Sequence, residues 1–302
     1  MRTIETTVAN VRKEPDAIEQ RRVLVIAYYF PPMGLSGVQR TLKFVKYLPQ
    51  YGWQPTVLTV EPGGYFAHDD SLLKELEGKD IRIVRTPAAG PGRMFAKKET
   101  VQLPSERTRK LFSRVSDTFF IPDNKIGWKK AAVAKGLELH KESPFDLIFA
   151  TAPPFTDFLI GAEIKSIINR PLVFDYRDAW VEYPHKFYPT PLHKLRTILL
   201  ERQAVKKSSH IVTTNRRVKE LIIKRHGFLS YNDIQIIPQG FDPEDFSGDA
   251  KAGLVPKTKK MRITYAGVFW EDRVPDYFLQ ALHDLFEEQP LLRGTIEALF
   301  IG

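Results

Sequence analysis

The chain of 302 residues contains no cysteine. This absence excludes disulfide bonds, cysteine nucleophiles and thiolate metal sites, and it is typical of a cytosolic protein. No stretch reaches the roughly 18 uncharged apolar residues that a transmembrane helix requires. The first 20 residues are charged and lack the apolar segment of a signal peptide. We therefore expect a mobile tail at residues 1–20, and we expect any membrane contact to be peripheral.

Paired metal-ligand spacing is missing as well. The seven histidines are scattered along the chain, and no Asp-x-Asp motif is present. Structural and catalytic metal sites are normally built from closely spaced ligands, often on one helix or turn. The sequence therefore predicts that the protein uses neither a metal nor another cofactor.

Negative charge is scarce relative to positive charge, since the formal net charge is +9 and the isoelectric point is near 9.5. Much of the excess lies between Arg93 and Lys135, where basic residues alternate with aromatic and aliphatic ones. This pattern favours an anionic membrane surface as partner. An ordinary solvated helix face explains it equally well. Nucleic acid ranks last, because no recognition motif accompanies the charge.

Short apolar runs alternate with helical patterns along most of the chain. Continuously apolar strands separated by helices are typical of a parallel sheet that is covered on both faces. The sequence therefore predicts an α/β fold that opens with a Rossmann-like domain. The expected strands of this domain are Val23–Tyr28, Thr56–Val60, Ile81–Arg85, Asp146–Ala150, Leu172–Tyr176, Ile211–Thr214 and Ile234–Pro238.

The pattern changes near residue 240, where a polar stretch rich in proline and glycine begins. We place the first domain at residues 21–240, an interdomain linker at 241–260 and a second Rossmann-like domain at 261–302. Two predicted strands and one helix cannot bury both faces of a sheet. We therefore expect this second domain to be partial.

The loop from Tyr28 to Arg40 joins the first predicted strand to a helix. Ser36 and Gln39 have the spacing of a capping box, which would leave the N–H groups of Gly37 and Val38 free to bind an oxygen of a phosphate or sugar. In an open parallel sheet, ligands bind outside the carboxyl ends of the strands. Two further loops, at 151–154 and 175–180, should lie at the same edge.

Asp175 and Asp178 flank Arg177 in the last of these loops. An ion pair between the arginine and either carboxylate would be structural. Alternatively, one carboxylate would be presented to a sugar hydroxyl. The residue types alone favour the structural pairing.

The loop at 28–40, the segment VFDYRDAWVE and the segment QGFD at 239–242 resemble family 4 glycosyltransferases of the GT-B fold. Asp178 and Trp180 match the family motif, whereas Arg177 stands where many relatives have histidine. The likeness covers roughly residues 23–302 and rests on the order and spacing of several motifs. It implies that Asp178 and Arg177 are catalytic.

The same resemblance implies an acceptor side and a donor side. Gly34, Gly37, Val38 and Arg40 would frame the acceptor. The family's second domain binds the nucleotide sugar through a glycine loop and basic side chains on the diphosphate.

Gly267 matches that glycine loop, and Arg273 lies where relatives often have lysine. Val268 replaces the usual arginine. The family's Glu-x7-Glu pair would fall beyond the chain, so we expect weak donor binding or none.

By this resemblance the protein is expected to be a retaining glycosyltransferase. It would move a sugar from a nucleoside diphosphate to a lipid-linked or polysaccharide acceptor, as in bacterial cell-surface glycan and lipopolysaccharide synthesis. The expected location is the cytoplasm, with peripheral contact at the inner face of the plasma membrane. The alternative hypothesis is a non-catalytic module derived from such an enzyme, which docks on membranes or binds an acceptor.

Overall fold

The computed structural model describes residues 20–34, 36–62, 68–88, 114–183, 186–246, 258–267, 269 and 274–301. The chain separates into two compact units, residues 1–240 and residues 241–302. The expected tail at 1–20 and most of the expected linker therefore lie outside the described residues, apart from Gln20, 241–246 and 258–260.

The first unit contains seven strands and seven α-helical segments among its described residues. The strands are β1 Arg21–Ile26, β2 Trp53–Val60, β3 Arg82–Thr86, β4 Leu147–Ala152, β5 Leu172–Tyr176, β6 His210–Thr213 and β7 Ile234–Ile236. Six of the helices are α1 Ser36–Tyr47, α2 Ser71–Lys74, α3 Lys129–Glu142, α4 Thr156–Ile168, α5 Pro191–Lys207 and α6 Arg216–Arg225. Residues 114–119 are also helical.

All seven strands pair in parallel, in the order β3-β2-β1-β4-β5-β6-β7. The strand order runs outward in both directions from the neighbouring strands β1 and β4, which makes this pair the topological switch point of a doubly wound sheet. The expected α/β fold with a parallel sheet is therefore confirmed.

Alternating side chains of β1 build two separate cores. Val23, Val25 and Ala27 pack with residues of α1 and α2 on one face. Leu24 and Ile26 pack with residues of α3 to α6 on the other face. Successive side chains of a strand point to opposite faces, so a continuous apolar run fills both layers at once.

Strand β2 begins three residues before its expected start at Thr56, and it includes Pro55. Proline has no N–H to donate, so inside a sheet it is tolerated only where one side of the strand is unpaired. Pro55 pairs with Val23 of β1, whereas the pairing of β2 with β3 begins at Thr56. Pro55 therefore lies in the first part of β2, where the strand is paired with β1 on one side and is not yet paired with β3 on the other.

The second unit contains a parallel pair, β8 Met261–Ala266 and β9 Ile296–Ile301, joined through helix α7 Asp276–Glu288. Gly267 follows β8 with φ of 154°, a backbone conformation that side chains rarely adopt. A Cβ at this position would also lie 3.2 Å from Oη of Tyr265. The glycine is thus required by the turn that ends β8.

Most of the basic segment between Arg93 and Lys135 lies outside the described residues. Of its described cations, Arg114 lies over the ring of Phe187, and Lys129 forms an ion pair with Glu163. These two basic side chains are therefore engaged within the unit. Separately, no helix in the described ranges has the length and apolar character needed to cross a membrane.

The aromatic stack between α4 and β5 should contribute strongly to stability. Phe158 is fully buried, and its ring lies 4.1 Å from that of Phe174. Phe158→Ala should lower the free energy of unfolding by about 3–5 kcal/mol because it removes buried area and leaves a cavity. Urea unfolding measures this loss. Tyr51→Ala is the control, since Tyr51 is 74% exposed and its removal should barely move the midpoint.

Candidate functional site

The carboxyl ends of β1, β4 and β5 bring three loops to one edge of the sheet. The loop after β1 leads into α1, the loop after β4 leads into α4, and the loop after β5 carries Arg177 and Asp178. The three strands are neighbours, so these loops lie side by side at the switch point. This is the position at which open α/β sheets bind ligands.

A buried ion pair lies beneath the loops. Arg40 of α1 donates to both carboxylate oxygens of Asp175 at 2.9–3.1 Å, and the two side chains are 4% and 0% exposed. Thr151 of β4 donates to the same carboxylate at 2.8 Å, and Arg40 also donates to the carbonyl of Pro238 at 3.1 Å. The pair therefore connects α1, β4, β5 and the segment after β7.

This arrangement differs from the expected ion pair between Asp175 and Arg177. Asp175 lies one residue before the end of β5 and is fully buried, where it pairs with a residue far away in the sequence. The guanidinium of Arg40 is committed to that pair and is almost fully buried. Its position supports a structural role for Arg40 beneath the loop after β1.

Arg177 joins the three loops through main-chain carbonyl groups. Its guanidinium donates to the carbonyls of Gly37, Ala152 and Pro153. The Thr214 hydroxyl donates to the carbonyl of Arg177 itself at 3.0 Å. A Cβ on Gly37 would lie 3.0 Å from Nη1 of Arg177. The missing side chain of Gly37 therefore allows the guanidinium to reach the beginning of α1.

The remaining residues predicted for this edge of the sheet differ in their exposure to solvent. Gly37 is exposed, Gly34 and Asp178 are half-buried, and Val38 packs its side chain in the core. Helix α1 begins at Ser36, whose side chain lies outside the described residues, so the capping box stays a prediction. The first N–H groups of α1, including those of Gly37 and Val38, have no acceptor within their own helix.

Trp180 supports the loop that carries Asp178. Its ring is buried and stacks on Phe155 with centroids 4.8 Å apart and planes 8° apart. Phe155 belongs to the loop after β4, so the stack fixes this loop against the loop after β5. The match of Trp180 to the family motif therefore has a structural explanation.

Next to this loop lies a polar cluster that the sequence analysis did not single out. Asp157, fully buried at the beginning of α4, accepts from the N–H of Tyr28 at 2.8 Å. Asp123 accepts from the N–H and the hydroxyl of Thr156 at 3.0 and 2.7 Å. The carboxylates thus attach the loop after β1 and the turn at 123–128 to the N-terminus of α4. An acidic residue in the first turn of a helix is common, so the position of Asp157 alone does not reveal its burial.

Burial controls the protonation of this cluster. Burial raises the pKa of Asp157 well above its ordinary value, Asp123 raises it further, and Arg177 and the Tyr28 N–H act in the opposite direction. Burial also raises the pKa of Tyr29, with Asp123, Tyr28 and Asp157 adding to the effect. Burial lowers the pKa of Arg177, which the carboxylates of Asp175, Asp157 and Asp178 oppose. The charge of Arg177 is thus balanced by several acids at once.

The predicted donor residues belong to the second unit. Gly267 lies in the turn after β8, with the positive φ described above. Arg273 and Val268 lie outside the described residues, so their roles stay predictions.

A doubly wound parallel sheet followed by a second α/β unit matches the Rossmann-like domains of GT-B glycosyltransferases. The sequence profile of Glycosyltransferase Family 4 matches residues 35–245. The chain belongs to this family, and the predicted resemblance is confirmed. No curated protein matches the chain.

Several solved structures are similar to the chain at low sequence identity. The N-terminal domain of trehalose-6-phosphate phosphatase from Candida albicans is 13% identical with a TM-score of 0.53, over 95% of this chain and 65% of that one. HepE from Anabaena, solved in complex with UDP-glucose, is 14% identical with a TM-score of 0.47, over 93% and 69%. A glycosyltransferase from Rickettsia africae has the same identity and TM-score, over 94% and 69%. The chain thus spans about two thirds of the length of these structures.

The buried ion pair generates a prediction about stability. Asp175→Asn would leave the buried guanidinium of Arg40 without its counter-charge. It should lower the free energy of unfolding by about 3–5 kcal/mol, measured by urea unfolding. Glu220→Gln is the control, because the Arg216–Glu220 pair is exposed and its loss should hardly change the midpoint. Equal effects of the two variants would contradict the role given to Asp175.

The raised pKa of Asp157 predicts a pH dependence. In the folded protein the buried carboxyl retains its proton at a pH where the unfolded chain has lost it. Its contribution to stability is therefore complete below the unfolded pKa and is lost as the pH rises through the folded pKa. Asp157→Asn keeps the shape and cannot ionise, so its stability relative to the wild type should increase with pH. Urea unfolding between about pH 5 and about pH 8 tests this, and parallel pH curves would refute it.

Proposed function

We propose that the protein is a retaining glycosyltransferase that moves a sugar from a nucleoside diphosphate to a lipid-linked or polysaccharide acceptor in the synthesis of cell-surface glycans. The observation that carries the proposal is the contact of Arg177 with all three loops at the switch point of a family 4 sheet. This contact organises an acceptor-side edge from main-chain groups and leaves Asp178 half-exposed beside it.

Asp178 orients a hydroxyl of a bound sugar in this proposal. A carboxylate accepts hydrogen bonds through both of its oxygens, and Asp178 lies close enough to Arg177 to interact with its charge. Trp180, two residues further on, anchors the loop in the core, so Asp178 is held on a rigid turn. Arg177 acts through the loops, because its described contacts are with the main chain.

Gly37 and Val38 contribute their N–H groups to the same edge. The beginning of a helix carries a partial positive charge and free donors. Both suit a phosphate or the hydroxyl groups of a glycan acceptor. Gly34 lies in the preceding loop, and Arg40 supports this edge through its contact with Asp175.

The donor side is assigned to the second unit, with Gly267 in the loop after its first strand and Arg273 on the diphosphate. In the reaction, the bond from the anomeric carbon to the leaving phosphate breaks while the acceptor oxygen bonds to that carbon from the same side. The acceptor proton passes to a phosphate oxygen, so the protein need not supply a base. The developing charge on the diphosphate is what a nearby cation such as Arg273 stabilises.

The test measures sugar transfer and heat of binding with a panel of nucleoside diphosphate sugars, on the chain extended to include the family's Glu-x7-Glu pair. UDP-glucose is the first donor to try, since HepE from Anabaena was solved with it. Asp178→Asn should lower kcat/KM about 10- to 100-fold because one charged hydrogen bond in the transition state is lost. Donor affinity should not change, because the donor contacts are assigned to the other unit.

Asp146→Asn is the matched control for this variant. Asp146 precedes β4 at the opposite edge of the sheet, where it accepts from the N–H of Arg22 at 2.8 Å, a bond that asparagine also accepts. Turnover should remain at the wild-type level. Unchanged turnover of Asp178→Asn would remove Asp178 from the mechanism. Failure of every donor to bind or react would favour the non-catalytic docking module.

A further inference from the structure

Three exposed leucines form a stripe along helix α5. Leu192, Leu195 and Leu199 are 73%, 51% and 48% exposed, respectively. Residues spaced by three or four positions lie on one face of a helix, so the three side chains are neighbours. A contiguous apolar stripe at a surface marks a contact with something other than water.

The same face becomes basic toward the end of the helix. Arg196, Arg202, Lys206 and Lys207 are all exposed, and at 100° per residue they fall on the side that the leucines occupy. Glu201 is the one acidic residue within the helix, every residue of which is described, and it is buried. The outward face of α5 therefore presents leucines and cations with no exposed acid.

A groove beside this face extends its apolar character. The groove has a volume of about 550 Å³ and lies between α4 and α5. Its apolar lining includes Leu159, Ile167 and Leu200, and Lys206 and Lys207 border it. Lys129 also borders it and pairs with Glu163, so the two lysines of α5 leave a net positive rim.

We propose that the outward face of α5, together with this groove, is a docking surface for an anionic lipid bilayer. Leucines in a plane with lysines and arginines are the composition of a helix that lies in the membrane interface. The cations would contact lipid phosphates while the leucines enter the headgroup boundary. A surface that combines positive charge with aliphatic side chains fits this partner better than nucleic acid, which offers phosphates without an apolar phase.

The direction of α5 relates this surface to the candidate site. The helix follows the loop after β5, so it begins at the same edge of the sheet as Arg177 and Asp178 and runs back toward the opposite edge. The leucine end is therefore nearer to that edge than the lysine end. Membrane docking itself does not depend on the proposed function. Only its role does, which rests on the proposed function and is to keep the acceptor-side loops close to a membrane-borne acceptor.

Sedimentation with lipid vesicles tests the proposal without any nucleotide sugar, so its outcome is independent of glycosyl transfer. The chain should bind vesicles that contain phosphatidylglycerol and should not bind pure phosphatidylcholine. Lys206→Gln/Lys207→Gln should lower the partition coefficient about tenfold or more, and added salt should do the same. Leu192→Ser/Leu195→Ser should weaken binding comparably, with salt dependence retained.

Matched controls separate this face from other surfaces. Lys74→Gln/Lys79→Gln removes two exposed charges elsewhere in the first unit, and Leu291→Ser changes a leucine that is 93% exposed in the second. Both should bind like the wild type. The proposal is overturned by absence of binding to anionic vesicles at low salt, or by equal loss in test and control variants.

Two other results would also overturn the proposal. A loss of binding in Lys97→Gln/Lys98→Gln, with Lys206→Gln/Lys207→Gln unaffected, would assign docking to the basic segment at 93–135. A dimer in solution that Leu195→Ser dissociates would identify the face as a contact between two copies of the chain.

Discussion

The buried ion pair between Arg40 and Asp175 is the interaction on which the geometry of the candidate site depends. It joins α1 to β5, receives a hydroxyl from β4 and reaches the carbonyl of Pro238 after β7. The elements that carry the three loops are thus held from below by one polar contact. Arg177 can bridge the same loops from above only because their carbonyls are already at a fixed spacing.

A buried ion pair such as Arg40–Asp175 contributes less net stability to a fold than its short distances suggest. Removing two charges from water costs free energy that their attraction only partly returns, and apolar residues of similar volume often stabilise a fold more. The advantage of the ion pair is that its hydrogen bonds require a particular orientation of the two side chains. Arg40 can satisfy both oxygens of Asp175 in few orientations of α1, whereas leucine and valine side chains would tolerate several. For this protein, our hypothesis is that the pair sets the position of α1, and with it the N–H groups of Gly37 and Val38.

The local elements could largely be predicted, because each strand of the sheet has to be apolar on both faces. Strand β5 at Leu172–Tyr176 agrees with its prediction residue for residue, and β2 differs because Pro55 marks a one-sided strand beginning. The family motif also led to Asp178 and Trp180. The strands and the motif were predictable because each depends on residues that are close together in the sequence.

The contacts beneath the site could not be predicted in the same way. Arg40 and Asp175 are 135 positions apart, and Arg177, only two residues from Asp175, was the more obvious partner. Whether Asp175 pairs with Arg40 or with Arg177 depends on which face of the sheet each side chain lies on and on how close the beginning of α1 lies to β5. Asp157 was missed for a related reason, since its importance comes from complete burial next to Asp123 rather than from any pattern of residues.

Helix α5 packs one face in the core, begins after the loop that carries Asp178, and exposes three leucines on its outward face. Its inward residues Thr197, Glu201, Ala204 and Val205 are buried, and its beginning continues the loop that carries Asp178. A helix needs only one apolar face to pack on a sheet, so three further leucines on the outside are not explained by folding. Their presence costs solubility unless a partner covers them. A bilayer that covers this face would also orient the beginning of the helix, and the candidate site at that edge of the sheet would then be held at a constant angle to the membrane.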